Sequence, residues 1–201
     1  MTTNFSIKLL SDATRATALV AALVALYIGR ESAGIFIIAT LVMTLLLKQR
    51  KLILLDNSRS ADWWEFGAVL IFLVNAVLLV AGLYYDPHLS WIDIPMHFWG
   101  GAVAGTWAYF VFFKNRLSHT LFLQHTFLLL GAVALIGVGW EFFEWVIDHT
   151  LGYWFTFPRN QPSVDDILGD LLNDLLGGCV GGFVMWRNLK SASLEKDEKV
   201  R

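Results

Sequence analysis

Apolar runs alternate with short polar connectors along almost the whole chain. These runs cover approximately residues 16–29, 33–47, 64–84, 92–113, 121–148 and 164–186. A bilayer core takes about 20 apolar helical residues, so the last four runs are long enough to cross it, whereas the first two are short. The pattern predicts an all-α fold, a polytopic membrane helix bundle with six transmembrane helices. Residues 1–190 form a single integral membrane domain in this interpretation, and residues 191–201 form a charged cytoplasmic tail.

The distribution of basic residues predicts the orientation of the bundle. Six spans place both termini on the same side of the membrane, and all but two of the 15 Lys and Arg residues fall on that side. Only Arg30 and Arg159 fall on the other side. Because cytoplasmic loops carry the excess of Lys and Arg, both termini are predicted to be cytoplasmic. The first run could be the core of a signal peptide, but five further runs follow it, so we expect it to be retained.

Composition agrees with a membrane protein. Of the 201 residues, 56% are hydrophobic and 16% are charged, against about 25% charged residues in soluble domains. The single cysteine, Cys179, lies in an apolar run and excludes a disulfide framework. No nucleic-acid-binding motif occurs, so the expected partner is membrane lipid, with a lipid or small molecule as a candidate substrate.

Two glutamates lie inside the fifth apolar run, where charge is costly. A carboxylate in hydrocarbon costs about 2.5 kcal/mol or more on insertion scales. Glu141 and Glu144 are three residues apart and Asp148 is seven beyond Glu141, so all three project from one stripe of the predicted helix. Water, cations or paired donors must offset this cost.

The fourth and sixth runs carry more polar residues at the same predicted end. Asp93 and His97 are four residues apart, which would allow the carboxylate to orient the imidazole. In the sixth run the spacing places Asp166, Asp170 and Asn173 on one stripe, with Asp174 to one side. Such an acidic set cannot stay fully ionised in low dielectric without cations. The predicted metal ligands are His97, Glu141, Asp166, Asp170 and Asn173, and the predicted catalytic residues are Glu144, as general base, and Asp93.

Each feature also has a purely structural interpretation. Ser163 followed by Asp166 fits a helix N-cap, so Asp165 and Asp166 fit capping as well as chemistry. Glu144 and Asp148 lie near the predicted interface and fit simple solvation. The pairs Gly177/Gly181 and Gly178/Gly182 are typical of close helix packing in membranes.

Three spaced motifs resemble a known family. They are Asp93-x-x-x-His97-Phe-x-Gly-Gly101, Trp140-Glu141-x-x-Glu144-Trp and Asp166-x-x-x-Asp170-x-x-Asn173-x-x-x-Gly177. Over about residues 63–186 this pattern resembles the YjdF-like bacterial inner-membrane proteins and, more distantly, the VanZ-like family linked to glycopeptide resistance. The resemblance implies a multi-pass protein of the bacterial cytoplasmic (inner) membrane and implies no activity.

Three functions fit these observations. In the first, a divalent metal ion bound to His97 and carboxylates acts on a lipid or envelope precursor that enters past an aromatic rim. That rim comprises Trp91, Trp99, Trp145 and Tyr153. The second is a proton- or cation-coupled transporter, for which a homodimer could supply the path. The third is a non-catalytic protein that binds lipid or a protein partner. Only the transporter predicts polar residues that continue to the cytoplasmic face.

Overall fold

The structure, a computed structural model, is built from α-helices. It describes residues 2–46, 59–83, 86–113, 122–154 and 163–198. The helices of this part are α1 (Thr2–Tyr27), α2 (Glu31–Leu46), α3 (Arg59–Ala81), α4 (Asp93–Phe113), α5 (Phe122–Trp154) and α6 (Val164–Glu198), with a short 3-10 helix at Pro87–Ile92. The all-α prediction is confirmed. Helix α6 continues into the predicted tail, of which residues 199–201 lie outside the described residues.

The helices have the length and surface of membrane spans. Within the described residues, four segments are long and apolar enough to cross a bilayer: Ser6–Tyr27, Ala61–Ala81, Thr126–Thr150 and Val164–Arg187. Helix α2 is also apolar but has only 16 residues, about 24 Å of helix. Large apolar side chains cover the outer surface of α5, where Phe127 and Leu135 are each 74% exposed. Lipid is the solvent in which such a surface is stable, and the protein is a helical membrane protein.

Helices α1, α2 and α3 pack together through small residues. Ala22 and Ala25 of α1 and Ala33 of α2 have no exposed surface, so these helices approach closely. Gly29 turns the chain between α1 and α2 with a positive φ of 76°, a conformation that favours glycine. The next residue, Arg30, donates from Nη1 to the carbonyl oxygens of Leu79 and Val80 in the last turn of α3. A cation at this position complements the negative end of the α3 dipole.

Helix α6 uses its two glycine pairs against two different neighbours. A Cβ added at Gly177 would collide with the carbonyl oxygen of Phe98, and one added at Gly181 with that of Ala102, both in α4. Gly178 and Gly182 face α5 instead. The packing role predicted for these pairs is confirmed, and the backbone of α6 contacts that of α4 directly.

Helix α5 joins this pair of helices to the rest of the bundle. On one side it receives the glycines of α6, since a Cβ at Gly178 would lie 2.7 Å from Val133 of α5. On the other side its aromatic residues contact α2 and α3. The Phe143 ring lies 6.0 Å from that of Phe36, and the Trp140 ring lies 6.3 Å from that of Phe72. The stripe of α5 between these two surfaces faces α4 and carries Glu141 and Glu144.

Candidate metal centre

Five carboxylates and one imidazole meet where α4 and α6 begin and α5 nears its end. His97 is one turn into α4, and its residue surface is only 5% exposed. Glu141, Glu144, Asp170 and Asp174 are buried to a similar degree. Asp93, in the first turn of α4, is the open member of the group, with 30% of its side chain exposed. The three predicted polar faces therefore share one site, which opens at Asp93.

The Nε2 atom of His97 faces two carboxylates. It lies 3.7 Å from Asp93 Oδ1 and 3.8 Å from Asp170 Oδ2. One ligand atom from each of these three residues lies within 4.8 Å of the other two, a set that could hold a metal ion.

The Nδ1 atom of the same ring faces two further carboxylates. It lies 3.5 Å from Asp174 Oδ1 and 3.9 Å from Glu141 Oε1. Glu144 lies close by, because one ligand atom from each of His97, Glu141 and Glu144 lies within 4.8 Å of the other two. Each ring nitrogen of His97 thus faces two carboxylates.

These distances suit donors that share an ion better than donors that bind each other. All four exceed the 2.7–3.2 Å of a normal N–H···O hydrogen bond. Two metal–ligand bonds of about 2.1 Å that meet at a tetrahedral angle place their donor atoms about 3.4 Å apart, and an angle near 120° places them about 3.6 Å apart. An ion could therefore lie between His97 and a carboxylate with little rearrangement.

Asp174 occupies room that glycines provide. A Cβ at Gly137 of α5 would lie 2.7 Å from Asp174 Oδ2, and a Cβ at Gly101 of α4 would collide with the Asp174 backbone. Asp174 was expected to one side of the α6 stripe, which was wrong, because its Oδ1 lies 3.5 Å from His97 Nδ1. A repeat of four residues links Asp166, Asp170 and Asp174, and this repeat was the signal that the choice of Asn173 overlooked.

A family model described as "Predicted membrane protein (DUF2238)" matches residues 13–191. The chain belongs to the DUF2238 family. No curated protein and no solved structure matches it. The DUF2238 description agrees with the predicted membrane character and names no reaction, while the resemblances to YjdF-like and VanZ-like proteins stay predictions.

Two predicted ligands of this DUF2238 chain have other contacts. The backbone N–H of Asp166 donates to Ser163 Oγ at 3.1 Å, which confirms the predicted N-cap of α6. The Asp166 side chain is half-buried beside the mouth of the site. Asn173 Nδ2 donates to the carbonyl oxygen of Gly169, 2.8 Å away in its own helix. Among the described residues, the sets of His, Asp and Glu ligand atoms around His97 do not include Asp166.

The aromatic rim stays a prediction, and the structure describes the side chains of three of its four residues. Trp91 and Trp145 are 59% and 47% exposed, and the Trp145 ring lies 4.3 Å from that of His149. Trp99 is half-buried. The side chain of Tyr153 and the whole of Arg159 lie outside what the structure describes.

The DUF2238 chain contains a second buried charged group that the sequence analysis missed. Arg15 of α1 is 4% exposed, and its Nη2 donates to Glu65 Oε1 at 2.8 Å and to the Thr44 carbonyl oxygen at 3.0 Å. Its Nη1 donates to Asp12 Oδ1 at 3.1 Å. Arg15 precedes the first apolar run, which starts at about residue 16, but α1 already begins at Thr2. This group links α1, α2 and α3.

Proposed function

We propose that this membrane protein binds a divalent metal ion through His97 Nε2, Asp93 and Asp170. The separations of 3.7 Å and 3.8 Å carry the proposal, because they are too long for hydrogen bonds and fit two bonds to one ion. One imidazole with carboxylates is a donor set used by Zn²⁺ and Mn²⁺. Solvent or substrate would complete the coordination from the exposed side of Asp93.

Charge balance supports the same function. Five carboxylates and a neutral imidazole would carry five negative charges in a site that is mostly shielded from water. Opposite charge placed beside such groups offsets the cost of removing them from water. The buried Arg15 pairs with Glu65 of α3 instead of with this group. A metal dication is therefore the counter-charge that we propose.

The surroundings of the mouth favour a lipid or envelope precursor as substrate of a metal-dependent enzyme. Exposed apolar residues flank Asp93 on α4 and α6, including Ile94 at 51%, Leu168 at 59% and Val164 at 70%. Apolar substrate could lie against them while its polar group reaches the ion, which would polarise a carbonyl or phosphoryl oxygen. A transporter would need a polar path beyond the site. The part of the bundle beyond the site contains the α4–α6 glycine contacts and an apolar core that includes Ala108, Phe110 and Met185.

We propose further that all six helices span the bacterial inner membrane with both termini in the cytoplasm. Apolar helices alternate with polar connectors along the chain, and the Lys and Arg residues gather on the side of the predicted termini. Both features support this topology. In a Cys179→Ala background, His88→Cys is expected to react with a membrane-impermeant maleimide in spheroplasts. Ser6→Cys is expected to react only after permeabilisation. The opposite pattern would indicate the opposite orientation. Labelling of both cysteines in intact spheroplasts would place them on the same side of the membrane and would refute the odd number of spans proposed between them.

Metal analysis of the full chain purified in detergent tests the proposed ion. We expect about one or more equivalents of a divalent metal, measured by elemental analysis after removal of loosely bound ions. Asp170→Asn removes a charged ligand and is expected to lower the affinity of this site at least tenfold, within the range known for single perturbations of metal sites. The matched control is Asp165→Asn, an exposed acid in the first turn of the same helix, which should leave the metal content unchanged. Equal metal content in both variants would refute Asp170 as a ligand.

A further inference from the structure

Three carboxylates near His97 are not used by the proposed ion. They belong to Glu141 and Glu144 of α5 and to Asp174 of α6, and all three residues are buried. One carboxylate oxygen from each glutamate and one ring nitrogen of His97 lie within 4.8 Å of one another. The two glutamates are one helical turn apart, so their carboxylates can converge without any change in the backbone.

One oxygen of this group lacks a partner. Glu144 is 92% buried, and its Oε2 has no hydrogen-bond partner among the residues that the structure describes. The Trp140 side chain donates a hydrogen bond to the Glu144 carboxylate. A buried carboxylate oxygen without a partner is rare in proteins, because it loses its hydration and gains nothing in return. Its position beside a second carboxylate indicates that it binds something that a protein side chain does not supply.

The charge that remains after one ion binds points to a cation. With one dication at Nε2, the five carboxylates and the neutral imidazole still carry a net charge of about −3 by simple counting. A second dication between Glu141 and Glu144 reduces this to about −1. The remaining carboxylate, Asp174, has its Oδ1 3.5 Å from Nδ1 and needs only a small movement to accept the Nδ1–H bond. Such a bond orients a histidine that binds a metal through its other nitrogen.

We propose that the Glu141 and Glu144 carboxylates hold a second divalent cation near the first. This inference deepens the proposed function and depends on it. The second site offers only carboxylate oxygens from the protein and therefore suits a hard cation such as Mg²⁺, Mn²⁺ or Ca²⁺. Glu144 is then an ion ligand instead of the general base expected from the sequence, and Asp174 is a positioning residue for His97.

Mn²⁺ binding to the full chain in detergent tests this arrangement, because Mn²⁺ accepts both donor sets and is paramagnetic. After chelation and removal of metals, equilibrium dialysis is expected to give about two equivalents of tightly bound Mn²⁺. Glu144→Gln keeps the shape of the side chain and is expected to give about one equivalent. Glu141→Gln should do the same, while the exposed control Asp165→Asn should keep two. Two neighbouring ions should also weaken the six-line spectrum of isolated Mn²⁺ in electron paramagnetic resonance, and Glu144→Gln should restore it.

The possible results distinguish failure of the second site from failure of the proposed function. One equivalent in the wild-type chain that persists in both glutamate variants overturns the second site and leaves the proposed function intact. Two equivalents that persist in both glutamate variants place the second ion elsewhere and also overturn this inference. No bound Mn²⁺ in the wild-type chain overturns the second site, and it overturns the proposed function as well if elemental analysis of the purified chain finds no other divalent metal. If Glu144→Gln does not fold, as judged by size-exclusion chromatography, Glu141→Gln decides the question alone.

Discussion

Gly177→Ala is expected to destabilise the bundle by about 3 kcal/mol, the upper part of the range for overpacked positions. The added Cβ would collide with the carbonyl oxygen of Phe98 and lie 2.9 Å from the backbone nitrogen of Ala102. Backbone atoms cannot rotate away as a side chain can, so α4 and α6 must separate. Because Asp170 and Asp174 lie on α6 and His97 on α4, the separation should also weaken metal binding.

The matched control is Gly169→Ala in the same helix. A Cβ at Gly169 would meet no atom within 4 Å, so alanine fits there. This variant should be unchanged or more stable by up to about 1 kcal/mol, since alanine favours a helix more than glycine does. Unfolding by SDS titration, followed through tryptophan fluorescence, measures both variants. Equal stability of the two would contradict the close contact between α4 and α6.

The glycine pairs illustrate what the sequence could predict of the fold. Residues four apart on a membrane helix share one face, and glycines there allow close packing, so the existence of tight contacts followed from spacing alone. The partners did not follow. Gly177 and Gly178 are adjacent in sequence yet face different helices, and spacing along one helix carries no information about which neighbour lies against each face.

The candidate site was predictable to a similar extent. Buried acids in three consecutive runs, all at one predicted end, were expected to meet because none can remain alone in a low dielectric. The structure does bring His97, Glu141 and Asp170 together. Asp174 was missed because both three- and four-residue steps keep neighbours on one face of a helix. The choice between Asn173 and Asp174 depended on the position of α4, which the sequence does not give. The roles of these residues stay predictions.

Breaking the ion pair between Arg15 and Glu65 is expected to destabilise the bundle by about 3–5 kcal/mol, the other large effect. Glu65→Gln keeps the volume of the side chain but removes the carboxylate that lies 2.8 Å from the Arg15 guanidinium. The Arg15 side chain is 95% buried. The desolvation cost of a buried charge then has less to offset it, which makes loss of one partner more harmful than loss of both. Arg15→Met combined with Glu65→Met should therefore cost less than Glu65→Gln alone.

Asp12→Asn provides the control for this cycle. Asp12 also contacts Arg15, at 3.1 Å, but its side chain is 53% exposed, so water screens the interaction. Exposed pairs of this kind contribute about 0–1 kcal/mol, and Asp12→Asn should fall in that range. The same SDS titration gives the unfolding free energies of all the variants. If the double variant lost as much stability as the sum of the losses in Arg15→Met and Glu65→Met measured separately, the two side chains would not be coupled. The buried charge of α1 would then be stabilised by the Thr44 carbonyl and its other neighbours instead of by Glu65.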